Sequence, residues 1–467
     1  MTRALSLTLL VVLAIAAFAQ VAPPPTDDDI RRILIDRVDR AKDAFGIVVG
    51  IVDERGTRVV GYGRPSKDST QTVNGDTVFA IGSVTKTVTA TLLADMVLRG
   101  EVSLDDPISK YLPATVRAPM RNGREITLLD LATHTSSLPR DPEGLDVFST
   151  HLLGMFSVNA YARKAYAPDR MLEFLSKVQL SRDIGTHYEY SNFGFAVLGY
   201  VLARRAETNY ESLARTRVLD VLHMDDTRFM LSSDMERRLA TGYDASLHAD
   251  SRIGDIEWIA PEGGLYSTTN DLLKYAAANL GLTPTPLLDA MKMAQQARRD
   301  TDDNHWGMDF VALGWGVRRK YDPEIVWKNG AFVGYRSFVG FDSRHRRGVV
   351  VLWNSDNNLD DIGRHLLDTR YAVSRAHNAI ALDAKSFDQY VGEYRSSPTF
   401  GLTVSREGKH FFVQGTGQKK SELFAESNTE FFEKGANTQV VFARDNSNGL
   451  TVTLYSQGLD VTFPKVH

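Results

Sequence analysis

The sequence predicts a mixed α+β domain, an antiparallel sheet flanked by helices with a helical lobe, followed by a small all-β barrel. Three observations predict it. Strand-like segments stand at both ends of residues 26–376, so one sheet must gather strands from the two ends. Helical patterns fill the interval and would form a second lobe. From about Lys385 the character changes to short apolar segments recurring at roughly ten-residue spacing, the pattern of a strand meander.

The chain has 467 residues, 43% hydrophobic and 24% charged, which is ordinary globular material able to bury large cores. Lys and Arg number 54 against 58 Asp and Glu, and no basic run accompanies them, which argues against a nucleic-acid partner. Cysteine is absent, so disulfides, thiolate metal sites and a lipid-bearing N-terminal cysteine are excluded. The eleven histidines form no His-x-x-x-His or His-x-His pair, and neither a metal nor a cofactor is expected.

Taken in order, Met1-Thr-Arg3, an apolar run from Ala4 to Phe18 and an Ala17-Phe18-Ala19 end describe a secretory signal peptide over residues 1–19. A membrane anchor is the rival reading. The run is shorter than the ~20 residues a span needs, and Pro23-Pro24-Pro25 follows within a linker at 20–25. Cleavage after Ala19 would release a protein secreted to the periplasm with no stable membrane span. Thr26 with Asp27, Asp28 and Asp29 starts a helix whose apolar face is Ile30, Ile33, Leu34 and Val38. Gly46–Val52 and Val59–Tyr62 read as a hairpin turning at Glu54-Arg55-Gly56. A helix over Thr87–Arg99 stops at Gly100, and Arg121-Asn122-Gly123-Arg124 closes a second hairpin.

Leu128–Thr133 reads as helical, Ser149–Gln179 as mixed and helical, and Phe193–Ala206 as a strongly apolar helix. Pro261–Asp271 is a glycine-bearing turn feeding a capped helix. Ser337–Phe341 and Gly348–Trp353 are strands, and Leu359–Ser374 is helical. A linker at 377–384 then leads to the barrel domain at 385–467. Its strands centre on Leu402–Val404, Phe411–Val413, Glu430–Phe432, Val440–Phe442, Leu450–Leu454 and Val461–Phe463.

The chemistry starts at Ser83, where a loop becomes the Thr87–Arg99 helix. Lys86 follows three residues later, within about 60° on the same helical face. A serine hydroxyl needs a neighbour to take its proton, and the helix N-terminus favours a developing oxyanion. Ser-x-x-Lys alone is a weak signal, because chance supplies it in many chains of this length. Two further motifs strengthen it. Tyr190-Ser191-Asn192 begins 107 residues after Ser83, and Lys328-Asn329-Gly330 begins 138 residues after Tyr190.

A chain with Ser-x-x-Lys, Tyr-x-Asn and Lys-x-Gly in this order resembles the serine β-lactamase and penicillin-binding protein superfamily. The similarity is greatest to its class C β-lactamase and D-alanyl-D-alanine carboxypeptidase branch, which includes esterases and D-amino-acid peptidases. It runs through Phe79–Pro113, Ile126–Pro139, Tyr190–Tyr200 and Gly263–Asp271. The tail resembles the lipocalin-like domain that often follows such hydrolases. The resemblance implies the β-lactamase-like transpeptidase fold and an acyl-enzyme on Ser83, with Lys86 or the Tyr190 phenolate as base. Asn192 would bond Lys86 and the substrate amide. Lys328, with Asn329 and Gly330, would bind a substrate carboxylate, and the N–H groups of Ser83 and Ala331 would form the oxyanion hole. Ala331 is expected to begin or sit on an edge strand beside the cleft.

The departures matter equally. Asn329 replaces the usual Thr or Ser that grips a β-lactam carboxylate, Ser137 stands where many relatives have glycine, and no glutamate is assignable as a deacylating base. These departures argue against efficient β-lactam hydrolysis, and the expectation is a serine hydrolase acting on a small molecule or short peptide, foremost a D-amino-acid-containing peptide or a peptidoglycan fragment, with β-lactams as further ligands. A class C β-lactamase, a small-ester esterase and a slowly acylating penicillin sensor are the alternatives. His134 is expected to tie a loop, Gly263-Gly264 to form a turn, and Trp306, Trp315 and Trp327 to pack in the core.

Overall fold

The computed structural model describes residues 25–142, 167–249, 260–301, 307–319, 321, 324–396, 401–416, 420–433, 438–456 and 459–466. The expected signal peptide, nearly all of the Pro-rich linker, most of Ser149–Gln179 and Trp306 lie outside the described residues.

Strands Gly46–Asp53 (β1) and Gly56–Gly63 (β2) form the expected hairpin, with Asp53 opposite Gly56 and Gly46 opposite Gly63. The chain then leaves the sheet and returns as Ile325–Phe332 (β3), Tyr335–Asp342 (β4) and Arg347–Trp353 (β5). The order across the sheet is β2-β1-β5-β4-β3, extended past β3 by Gly316–Arg318, Phe310–Val311 and Arg299–Asp300. Every pairing is antiparallel, and β1 docks on β5 with Val49 opposite Val351.

The sheet is apolar on both faces because both are covered. Ile47, Val49 and Ile51 of β1 join Phe338, Val351 and Trp353 in one core, together with Ile30 and Leu34 of helix Asp27–Ile35 (α1). Val48 and Val52 point the other way, into the core of the helical lobe. Helix Thr85–Leu98 (α2) runs through that lobe, with every residue from Thr85 to Met96 buried. Its threonines satisfy their hydroxyls backwards: Thr87 donates to the Val84 carbonyl at 2.8 Å and Thr91 to that of Thr87 at 2.9 Å. Helix Asn192–Arg205 (α3) packs against α2, and Thr269–Asn279 (α4) against β1 and β5.

The helix expected over Leu359–Ser374 is shorter, Asp360–Leu367 (α5). Asp368 turns extended and its carboxylate accepts the Arg370 N–H, while Ser374 N–H donates back to Asp361. Asp361 is buried under the Arg37 guanidinium, which donates to both carboxylate oxygens at 2.6 and 2.7 Å.

In the tail, eight strands from Gly392 to Pro464 pair in chain order, and Tyr394 bridges Lys465 to bring the first strand towards the last. The result is a nearly closed barrel. Gly392–Arg395 and Ser421–Ala425 are strands that the sequence pattern leaves out, the first being only four residues with one buried side chain, Tyr394. Ahead of them, Ala384–Tyr390 carries Phe387 and Tyr390 into the barrel core, where they stack on Phe411 and Phe442 at 4.2 and 4.1 Å. Ile380 N–H donates to the Ala425 carbonyl, so part of the expected linker is tied to the barrel.

Candidate active site

Ser83 sits in the 3-10 turn Gly82–Val84 that leads directly into α2. Lys86, one turn on, is wholly buried. Its Nζ lies 3.1 Å from Ser83 Oγ, 2.8 Å from Asn192 Oδ1, 2.6 Å from the Glu262 carbonyl and 3.0 Å from Glu262 Oε2. Tyr190 OH donates to Ser83 Oγ at 2.7 Å. Residues far apart in the chain thus converge on one hydroxyl.

Tyr190 is held from both sides. Ser191 after it caps α3, its Oγ accepting the Gly194 N–H at 2.8 Å. The His134 ring lies against Tyr190 with centroids 4.5 Å apart, and Nδ1 of His134 accepts the Ser191 N–H at 3.1 Å. The His134 carbonyl accepts the Glu189 N–H, so this histidine ties the loop before α3 to the loop after Ala132. Burial and the Lys86, Lys328 and Arg140 cations hold the imidazole well below its ordinary range, and it is neutral. Ser137, where glycine is usual in relatives, adopts a left-handed φ of 60°, and its Oγ accepts the Arg182 N–H.

Three cations surround the Tyr190 ring. Lys86 Nζ lies 5.1 Å from its centroid, Lys328 Nζ 5.3 Å and Arg140 Cζ 5.3 Å. Burial works to raise the phenol, but Lys328, Lys86 and the bond to Ser83 outweigh it, and Tyr190 lies below its ordinary value. Burial works equally against the Lys86 ammonium, yet Tyr190 and Glu262 outweigh it and hold Lys86 above its ordinary value. Lys328 goes the other way: burial lowers it, assisted by Lys86. The pair Tyr190 and Lys86 is therefore biased towards phenolate and ammonium.

The backbone beside Ser83 is arranged by two glycines. A Cβ on Gly330 would lie 1.9 Å from the Ile81 carbonyl, and one on Gly82, whose φ is 48°, 2.6 Å from the Ala331 carbonyl. Only glycine lets β3 and the Ser83 turn meet so closely. Gly330 is thus required for backbone approach. Ala331 lies near the end of β3, the fifth strand of eight, which corrects the expectation of a position on an outer strand. The short neighbour Gly316–Arg318 pairs with Ile325–Trp327, however, so among the described residues no strand lies on that side of β3 at Ala331. The two-residue turn makes Phe332–Tyr335 the bonded pair and Ala331–Arg336 a non-bonded one. The Ala331 N–H therefore faces away from β4, towards the Ser83 turn.

Asn192 and Asn329 are more engaged than the sequence suggests. The Asn192 amide donates to Asp141 Oδ1 at 3.1 Å while its oxygen accepts from Lys86. The Asn329 amide donates to Asp360 Oδ2 at 2.6 Å, and its oxygen lies 3.3 Å from Lys328 Nζ. Trp315 and Trp327 are core residues, Trp327 stacked on Phe338. Glu262 is the group that sequence reasoning missed. It lies in Pro261-Glu262-Gly263-Gly264, expected as a turn with positive φ; Ala260–Gly263 is instead a short helix and neither glycine has positive φ, and a lone carboxylate before two glycines gives no spacing to detect. Arg140 and Asp141 went undetected for the same reason.

The beta-lactamase family model matches residues 31–373. The chain belongs to the beta-lactamase family. A second model, a domain of unknown function called DUF3471, matches residues 376–464. The D-alanyl-D-alanine-carboxypeptidase/endopeptidase AmpH of Escherichia coli K12 is 29% identical over 371 residues, 75% of this chain and 91% of that protein. A beta-lactamase of the same organism is 26% identical, covering 74% and 93%. Among solved structures, the D-alanine carboxypeptidase AmpC of Burkholderia cenocepacia superposes with a TM-score of 0.59 at 25% identity, over 73% of this chain and 99% of that one. An octameric penicillin-binding protein homologue from Pyrococcus abyssi, 19% identical, shares the fold over 93% of this chain and 98% of its own, with a TM-score of 0.65. As a member of this family the protein is a serine hydrolase.

Proposed function

We propose that the protein is exported and hydrolyses an amide or ester through an acyl-enzyme on Ser83, acting on short peptides that contain D-amino acids or on related cell-wall fragments. The observation that carries this reading is the placement of Ser83 Oγ within hydrogen-bond distance of both Tyr190 OH and Lys86 Nζ. Tyr190 is the base: as a phenolate between Lys86 and Lys328 it takes the Ser83 proton while Oγ attacks the carbonyl carbon. The N–H groups of Ser83 and Ala331 receive the oxyanion, each donor worth about 3–4 kcal/mol in other serine enzymes. Tyr190 then protonates the leaving group and activates the water that releases the acyl chain. Lys328 supplies positive potential for a substrate carboxylate.

The substrate class is supported by the AmpH relative, which is named a D-alanyl-D-alanine carboxypeptidase and endopeptidase. Efficient β-lactam hydrolysis is not part of the proposal, because the Asn329 amide is bonded to Asp360 instead of offering a hydroxyl to a carboxylate. The test is turnover of D-Ala-D-Ala peptides, nitrocefin and p-nitrophenyl butyrate, with intact mass to detect a trapped acyl group. Preference for the peptides supports the reading. Turnover of nitrocefin far above the peptides would replace it with a β-lactamase.

A further inference from the structure

Glu262 lies in the short helix Ala260–Gly263, packed against α2, α3 and the Ser83 turn. It meets Lys86 twice, through its carbonyl at 2.6 Å and its carboxylate at 3.0 Å. Both side chains are nearly inaccessible, at 0% for Lys86 and 8% for Glu262. A carbonyl alone would orient the lysine. A buried carboxylate does more, since it neutralises a charge that water cannot reach. Among the described residues, Lys328 and the neutral His134 also lie within reach of the Lys86 charge. Asp141 stands behind Asn192, Arg140 lies beside Asp141, and Tyr190 shares the Lys86 ammonium. Tyr210, from the neighbouring helix Tyr210–Ala214, bonds Thr89 and is kept neutral by burial.

The geometry points to Glu262 as a positioning residue that holds Lys86 as an ammonium, and so reserves the proton-accepting role for Tyr190. The inference rests on the acyl-enzyme reading of Ser83. Without the carboxylate, the buried amine would face only neutral acceptors and the phenolate. Its proton would then be shared with Tyr190, and the phenolate would be lost as a base. Burial, with Asp141 nearby, raises the Glu262 carboxylate itself, which confines the arrangement to pH above that carboxylate's own titration.

The sign of the effect is definite. A carboxylate raises the pH at which Lys86 loses its proton, so Glu262→Gln lowers it, and the ammonium that holds Ser83 Oγ and Asn192 in place is lost on the alkaline side at a lower pH. The measurement is the rate of Ser83 phosphonylation by an alkyl fluorophosphonate across pH, in which Oγ displaces fluoride. It needs no knowledge of the substrate. The alkaline limb of Glu262→Gln is expected about 1–3 pH units below that of the wild type, the usual effect of removing an adjacent opposite charge. Glu262→Asp, which keeps the charge at greater distance, is expected between the two. A Glu262→Gln profile reduced equally at every pH, with its limbs unmoved, overturns the inference and leaves a packing role. If Glu262→Gln does not fold by thermal melt, an unshifted limb in Glu262→Asp overturns it instead. Equal labelling of Ser83→Ala and wild type would refute the acyl-enzyme reading, whatever the Glu262 variants do.

Discussion

The Asn329 side chain donates to the buried carboxylate of Asp360 at 2.6 Å, linking β3 beside Ser83 to the first turn of α5. Asn329→Thr therefore has two consequences. It removes a hydrogen bond to a charged group, worth about 1.5–3 kcal/mol, and should lower the melting temperature by several degrees. It also supplies the hydroxyl that relatives place next to the motif lysine. The ratio of kcat/KM for nitrocefin to that for p-nitrophenyl butyrate should rise roughly ten- to a hundredfold, since the ester has no carboxylate to bind. A lower melting temperature with an unchanged ratio would make Asn329 a clamp between β3 and α5 and nothing more.

Ser83→Ala should abolish labelling by a fluorophosphonate or a fluorescent penicillin. Among the described residues the hydroxyl bonds Tyr190 and Lys86, so thermal unfolding should move little, as for substitutions away from packed features. Mass spectrometry of the labelled protein locates the adduct. An adduct of equal yield on the variant would end the nucleophile assignment.

Much of this was legible in the sequence where local rules decide. The Tyr190 motif announces a capped helix, Lys328 enters a β-rich run, and Gly46–Asp53 alternates between two faces that are both apolar. What escaped depends on tertiary packing. Glu262 reaches Lys86 across 176 residues and Asn329 reaches Asp360 across 31, with no periodicity joining either pair. The strands beyond β3 are only two or three residues long, too short for an alternating pattern to register. The helix after Leu359 was overextended because nothing local shows that Asp368 turns back to serve Arg370.

Removing residues from Ile380 onward should leave a folded hydrolase domain, under the proposed division of the chain near residues 377–384. The barrel core of Phe387, Tyr394, Phe431 and Phe442 is separate from the two cores around the sheet. The contacts between the two parts include His377, which stacks on Phe432 at 4.8 Å and lies 3.0 Å from Glu426, and Arg375, which faces Glu426 and Glu430. The expected result is a cooperative melt close to that of the full chain, with an altered substrate range. An aggregating or far less stable fragment would show that the two parts depend on each other to fold.

Lys328→Met tests the base through its pH dependence. Tyr190 is an acid whose charged form is the anion, and Lys328 is one of the cations that favour it over the neutral phenol. Deleting that cation leaves burial and Lys86 opposed, so the phenol must rise towards or above its ordinary value of about 10. Activity carried by the phenolate appears as pH rises through that titration. The acid limb of kcat/KM for p-nitrophenyl butyrate should therefore move to higher pH by a unit or more, as removal of a charge about 5 Å away predicts. A neutral ester is the right substrate, because loss of the Lys328 charge cannot weaken its binding through a carboxylate. Lys328→Arg keeps the charge and should leave the limb near its wild-type position. If the limb stays fixed in Lys328→Met while kcat falls, the group titrating there is not Tyr190, and Lys86 becomes the base.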